Sequence, residues 1–324
     1  MKHPYLIDLN NSENWLYPIE LVGADGVKGE DQRTINMGVG EHRLFHVTDS
    51  VMYPHAVGGP VFYHEHHVGF EIFFVDSGGL DLYANDTKAY VPPGSILFLQ
   101  PYVAHAMAIR EPTKFRGFFH DLKQSDNAPE LAILRANRPE FERNADFLRD
   151  FVFINFDSGS REMPDFKEIP VEQMSAVRNI ERPMAAYELE GVTMKMLTAR
   201  WENNGVCELW AAEMKAGFKA EWVEFPNEME MYYVTAGEVK FKVFDDEFIA
   251  YPECVVKIPK FASHSITALT DSVMYDIGGQ TRWQALLQDR ASILKFDPER
   301  AAKPETMEEL KTKFKCQIKS FGMK

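Results

Sequence analysis

GGPVFYHEHHVGFEIFFVDSGG, residues 58–79, decides how the chain is read. His64 and His66 are two apart, so on an extended strand both point to one face. Glu71 follows five residues later, past a short turn containing Gly69, and opens the strand-like run EIFFV. A second stretch, VPPGSILFLQPYVAHAM at 91–107, brings in His105 after two more strand-like runs. Three imidazoles and one carboxylate make a ligand set for a first-row divalent ion, with positions left open for substrate. A solvated loop would explain the polarity of HEHH, since such residues are often exposed. It would not explain the spacing, or the apolar and aromatic flanks Val61–Tyr63 and Phe70–Val75.

The spacing Gly58, five residues, His64, one residue, His66, four residues, Glu71, six residues, Gly78 resembles the first motif of the cupin superfamily without a gap. The second cupin motif is matched more loosely. Gly94 and His105 hold its spacing, Gln100 sits where a proline is expected with Pro101 displaced by one, and Tyr102 replaces the second glycine. The resemblance implies an all-β chain built from cupin-type double-stranded β-helix (jelly-roll) barrels with a few peripheral helices. It also implies one divalent transition metal per chain held by His64, His66, Glu71 and His105. Fe(II) is the favoured ion, with Mn, Ni, Zn or Cu as alternatives, because ligand softness does not choose among them.

The second half repeats the first at a constant offset of 159: Gly58 to Gly217, Glu71 to Glu230, Gly78 to Gly237 and His105 to His264. EIFFV at 71–75 returns as EMYYV at 230–234. A constant offset over this many motif positions marks a duplicated domain, so the chain resembles a bicupin. The same offset puts Val223 opposite His64 and Phe225 opposite His66. Two remaining ligands are too few for a tight site, and the second barrel is expected to be degenerate as a metal centre. Glu221, Glu224 and Glu228 would build an oxygen-rich site only if the register slipped.

The expected organisation is a first barrel with an N-terminal arm over 1–125, a connector with helical segments over 126–185, a second barrel over 186–280, and C-terminal helices over 281–324. Turn signals DSGG at 76–79, AND at 84–86 and PPG at 92–94 punctuate short β-like runs, as in a barrel. Aromatic candidates for the pocket lining are Phe62, Phe73, Tyr83, Phe98, Tyr102 and Phe118, joined by Gln100; most of the aromatics are expected to be core. His42, His46, His55 and His120 are not expected to be ligands. TRWQALLQDRASIL and ETMEELKTKFKCQIKSF read as two C-terminal helices, the first presenting Trp283, Leu286, Leu287 and Ile293 near one face.

The formal net charge is −14. That argues against nucleic acid, which asks for a basic footprint, and against an anionic membrane surface. Cys207, Cys254 and Cys316 are sparse and odd in number, which fits a reducing compartment. No apolar run is long enough for a membrane span and no secretory h-region opens the chain, so a cytoplasmic protein is expected. The partner is expected to be a small-molecule substrate, with homodimerisation as a further possibility.

The functional expectation is a dioxygenase acting on a small aromatic or enediol-type substrate at a single site in the first barrel, with Glu71 as ligand and proton acceptor. One alternative is a non-redox decarboxylase, lyase or isomerase of a small acid or sugar acid, which would want Arg110 or Arg116 near the metal to hold a carboxylate. Another is a metal-stabilised ligand-binding protein without catalysis.

Overall fold

The structure is a computed structural model that describes residues 3–11, 17–22, 28–36, 45–54, 63–67, 69–120, 158–160, 164–202, 207–225, 229–278 and 282–323. Two compact units emerge. One comprises Trp15–Asn179; the other joins Met1–Asn14 to Ile180–Lys324.

In the first unit, a seven-stranded sheet runs in the order Val177–Arg178, Ile96–Leu99, Phe70–Ser77, Thr113–His120, Phe45–Met52, Lys28–Asn36, Tyr17–Val22. Its companion has six strands, in the order Ser158–Ser160, His64–His66, His105–Ile109, Leu80–Ala84, Thr87–Val91, Lys167–Glu168. Alternate residues of these strands meet between the sheets. Phe73 and Val75, Leu80, Leu82 and Ala84, Leu97 and Leu99, and Phe115 and Phe119 form one buried cluster, the period-two signature of a sheet with one face turned inward.

The second unit repeats the plan. Its seven-stranded sheet is ordered Leu6–Asp8, Cys254–Ile258, Glu230–Ala236, Ser272–Asp276, Leu209–Met214, Val192–Thr198, Ala185–Leu189. The facing sheet is Asp246–Ala250, Val239–Val243, His264–Ala268, Phe218–Val223, Ser320–Met323. The duplication reaches the backbone dihedrals. Left-handed residues recur at the offset of 159: Gly78 and Gly237 (φ 78 and 74), Asn85 and Phe244 (53 and 51), Gly94 and Glu253 (81 and 69), Tyr102 and Phe261 (63 and 62). Only the first pair is glycine in both halves, for a steric reason. A Cβ at Gly78 would lie 2.4 Å from the Pro112 carbonyl oxygen, and at Gly237 it would lie 2.3 Å from that of Asp271. Elsewhere a side chain tolerates the strain because the turn tip is open, as at Tyr102 and Phe261, 64% and 62% exposed.

Two expectations need correction. The N-terminal arm is divided: Tyr17–Val22 and Lys28–Asn36 join the sheet of the first barrel as expected, whereas Leu6–Asp8 runs antiparallel to Cys254–Ile258 in the second. The last helix stops at Phe314, where Lys315 turns left-handed, and Ser320–Met323 becomes an edge strand beside Phe218–Val223. In the connector, the described residues give short strands at Ser158–Ser160, Lys167–Glu168 and Val177–Arg178 and a 3-10 turn at Val171–Gln173; the helical stretch APELAILRANRPEFERNADFLRDF, 128–151, lies outside the described residues. The helix Arg282–Phe296 does bury Leu286 and Leu287 on the second core, with Ile293 packed beside them. Among the described residues no helix is long and apolar enough to cross a membrane.

Candidate metal centre

His64, His66 and His105 converge inside the first barrel. Their ligand atoms lie within 4.8 Å of one another, and all three residues are buried. Two local features bring this about. The strand His64–His66 places both imidazoles on one face, and the register sets His64 directly opposite His105 on the neighbouring strand. Glu71 comes from the other sheet, on the inward face of Phe70–Ser77, and reaches two of the rings: Oε1 lies 3.4 Å from His66 Nε2 and Oε2 3.2 Å from His105 Nε2. Donor-to-metal distances of about 2.1 Å put trans donors about 4.2 Å apart, so the three rings are close to a filled coordination sphere and slightly wider.

The ring orientation of His105 is imposed from behind. Its Nδ1 donates to the Val103 carbonyl at 2.8 Å, which leaves Nε2 turned to the cluster, the usual arrangement behind a ligating histidine. His105 Nε2 is buried and makes no hydrogen bond of good geometry. The electrostatics suit a cation. Burial, then the neighbouring His105 and His66, push His64 well below the ordinary imidazole range, with Glu71 opposing. Burial alone would raise Glu71, but the charges and hydrogen bonds of His66 and His105 outweigh it and hold the carboxyl far below its ordinary range. Imidazole nitrogens and an ionised carboxylate are the donors a divalent metal takes, so the residues fit the ion.

The lining candidates divide by strand parity. Phe73 shares the inward face with Glu71 and joins the interior cluster. Phe98 and Phe118 alternate out of step with Leu97, Leu99, Phe115 and Phe119, so they lie on the opposite face of the sheet. There Phe98 meets Phe70 and Phe118 meets Phe74, each at 5.7 Å between centroids. Tyr83 is likewise out of step with Leu82 and Ala84 and packs edge-on to Phe166 in a satellite cluster with Tyr63. Tyr102 is exposed at a turn tip and stacks on His67 at 5.4 Å. Gln100 follows Leu99, the strand partner of Glu71, and its Oε1 is buried without a hydrogen bond. Phe62 lies outside the described residues, as do His42 and His55. His120 stacks on Phe70 at 4.2 Å, on the face away from Glu71.

Neither arginine enters the interior. Arg110 holds Asp81 through Nη2 at 2.6 Å and Nε at 3.0 Å, at the half-exposed rim. Arg116 pairs with Asp49 at 3.1 Å, on the face opposite Phe115 and Phe119.

In the second barrel, Val223 and Phe225 are buried where the histidine pair would be, yet the other half of the site keeps its posture. His264 Nδ1 donates to the Ala262 carbonyl at 3.0 Å and Nε2 faces Glu230 Oε2 at 2.9 Å. Glu221 is engaged by Ser320 Oγ at 2.9 Å and by Lys219, and Glu224 accepts from Ser263 Oγ at 2.8 Å. Glu228 lies outside the described residues. Among the described residues, only the three histidines of the first barrel group as metal donors.

No family model matches the sequence, and no curated protein matches it either. Solved structures do match by shape. Oxalate decarboxylase from Bacillus subtilis, in a study of its Mn(II) centres, aligns over 99% of this chain and 90% of its own at 14% identity and a TM-score of 0.55. A tryptophan-to-phenylalanine variant of that enzyme covers 99% and 90% at 16% identity and 0.53. An oxalate decarboxylase studied for its substrate binding mode and a switch in reaction specificity covers 85% and 77% at 14% and 0.51. The chain has the two-barrel, all-β cupin fold of these structures.

Proposed function

We propose that the chain is a metal-dependent enzyme working at one centre, held by His64, His66, Glu71 and His105, and that it carries out a non-redox conversion of a small acid, with decarboxylation foremost. The observation that carries this reading is the convergence of three buried imidazoles, two of them touching the Glu71 carboxylate. The likeness to oxalate decarboxylases favours this reading over the dioxygenase expected from sequence, and Mn(II) over Fe(II). When bound, such an ion supplies a Lewis acid and a template for an oxygen-bearing substrate.

The residues of the chain do the rest. Glu71, ionised and acceptor-only, is placed to hold a proton at either oxygen. Gln100 offers a carbonyl oxygen at the end of the strand that pairs with Glu71. Phe73, Leu82, Leu99 and Phe119 exclude water from the interior. Among the described residues no lysine or arginine joins that interior, because Arg110 and Arg116 are held by Asp81 and Asp49. The apolar wall favours an acid with an apolar remainder over a compact dianion such as oxalate. The same apolar wall, Phe73 and Phe119 above all, is what favours the second reading, a dioxygenase of an aromatic or enediol substrate.

Turnover of candidate 2-oxo and 3-oxo acids by Mn- and Fe-loaded protein, with and without oxygen, tests the choice. Carbon dioxide release that persists without oxygen supports the first reading. Oxygen consumed in proportion to substrate replaces it with the second, and a protein that binds no metal in the first barrel overturns both.

A further inference from the structure

Two apolar side chains flank Glu71 on the inward face of its sheet. Leu99 is its cross-strand partner on one side and Phe119 on the other. Directly opposed residues keep their Cβ atoms about 4.5–5.5 Å apart, so the Phe119 side chain starts beside the metal-binding carboxylate. Its far end leans away along its own strand. A Cβ at Gly117 would lie 2.8 Å from Phe119 Cε2, so the glycine makes room for the ring. Phe73 braces it edge to face, at 5.2 Å between centroids and 89°.

This lean leaves space at the centre. His64 and Phe119 are each 8% exposed, and Glu71 and Phe73 each 6%, whereas Leu82, Leu97, Leu99 and Phe115 show no surface at all. Water therefore reaches two of the donors and both rings in an interior shut at those four residues. The second barrel has no counterpart. At the offset of 159, Phe119 becomes Gly278 and Gly117 becomes Asp276. The strand Ser272–Asp276 ends before Gly278, where a Cβ would lie 3.2 Å from Met231 N. Glu230 and His264 are 3% and 1% exposed. The ring, the glycine beneath it and the opening thus go together with the full set of donors.

We propose that Phe119 is the specificity-determining residue of the first barrel. Its ring, braced by Phe73, receives the carbon chain of an acid whose carboxylate is held at the centre of His64, His66, Glu71 and His105. The inference rests on reading that centre as a metal site for small acids, and it narrows the class. The preferred acid is aliphatic and long enough to reach the ring, ahead of an acetate-sized one.

Acetate and butyrate, titrated separately into Mn(II)-loaded full-length protein and followed by water-proton relaxation, report binding at the metal. Butyrate should bind wild type at least tenfold more tightly than acetate, because each buried methylene adds about fourfold. In Phe119→Ala that preference should fall below threefold, with acetate affinity and Mn(II) content unchanged. Phe119→Leu should fall between the two. Circular dichroism checks both folds, and the leucine variant carries the test if the alanine variant does not fold. No butyrate preference in wild type, or the same preference in a folded variant, overturns the proposal and leaves the metal centre standing. Wild-type protein that takes up no Mn(II) overturns the metal reading, and this proposal with it.

Discussion

Val223 faces His264 across the same antiparallel register that sets His64 opposite His105. The second barrel thus retains the frame of a metal site: Glu230 and His264 are in position, with the Ala262 carbonyl behind the ring. What it lacks is donors. The double variant Val223→His/Phe225→His should raise bound transition metal from about one per chain toward two, read by elemental analysis after loading and desalting. A content that stays at one would mean that the register alone does not make the site.

The converse test lies in the first barrel. His64→Ala or His105→Ala removes one of three converging imidazoles, and metal content should fall at least tenfold. The interior cluster of that barrel does not depend on these rings, so circular dichroism should be nearly unchanged. Val223→Ala should leave metal content untouched while costing about 1–2 kcal/mol as a buried large-to-small change.

His64 and His264 should respond to pH in opposite senses. Burial and the neighbouring rings lower His64. Burial would lower His264 too, but Glu230 outweighs it and the ring is raised. In the metal-free protein, a lowered His64 refuses a proton that the unfolded chain accepts, so stability falls as pH drops below about 6.5. A raised His264 contributes fully below about 6.5, and that contribution is lost as pH rises through its folded value. His64→Gln should therefore gain on wild type toward pH 5, while the cost of His264→Gln should be largest at pH 5 and shrink toward pH 8. A tenfold change in the proton affinity of either ring corresponds to about 1.4 kcal/mol. Urea denaturation across this range reads both; trends of the same sign in the two variants would contradict the assignment.

The legible parts of this chain were those set by short-range periodicity. The spacing of His64, His66 and Glu71 is a strand period plus a turn, and the repeat at 159 exposed both barrels and the missing imidazoles. What stayed hidden depended on which strands pair. Phe98 and Phe118 read as lining because aromatic content does not reveal parity; the register against Glu71 turns both away. The arrest of the last helix at Lys315 had no glycine to announce it. Tyr232 lies far from Asp276 in sequence, and only strand pairing brings them together. Proximity in sequence suggests Arg110 and Arg116 for the metal site, and strand alternation removes Arg116 from it.

The partner of the N-terminal strand is the longest-range of these facts, and it yields the last prediction. Leu6–Asp8 caps the edge of the second barrel's larger sheet beside Cys254–Ile258. Lys257 N donates to the Tyr5 carbonyl at 2.9 Å, Leu9 N donates to that of Glu253 at 2.8 Å, and the Leu9 side chain is buried. Deleting residues 1–9 would uncover a strand edge and forfeit about 2 kcal/mol for Leu9 alone. The second unit should lose several degrees of melting temperature, and the Lys257 amide should lose its protection from exchange. Metal content of the first barrel and protection across Phe70–Ser77 should not change. The Tyr251 hydroxyl donates to Asp8 Oδ2 at 2.7 Å, and this bond, with burial second, pushes Tyr251 up to about 12. A raised phenol stabilises fully below its ordinary value near about 10 and loses that effect as pH rises through the folded one. Loosening of the arm above pH 10 should therefore be steeper in wild type than in Tyr251→Phe, followed by exchange or by limited proteolysis near residue 10. Equal alkaline loosening in both proteins would remove Tyr251 from the account and leave the strand pairing alone to hold the arm.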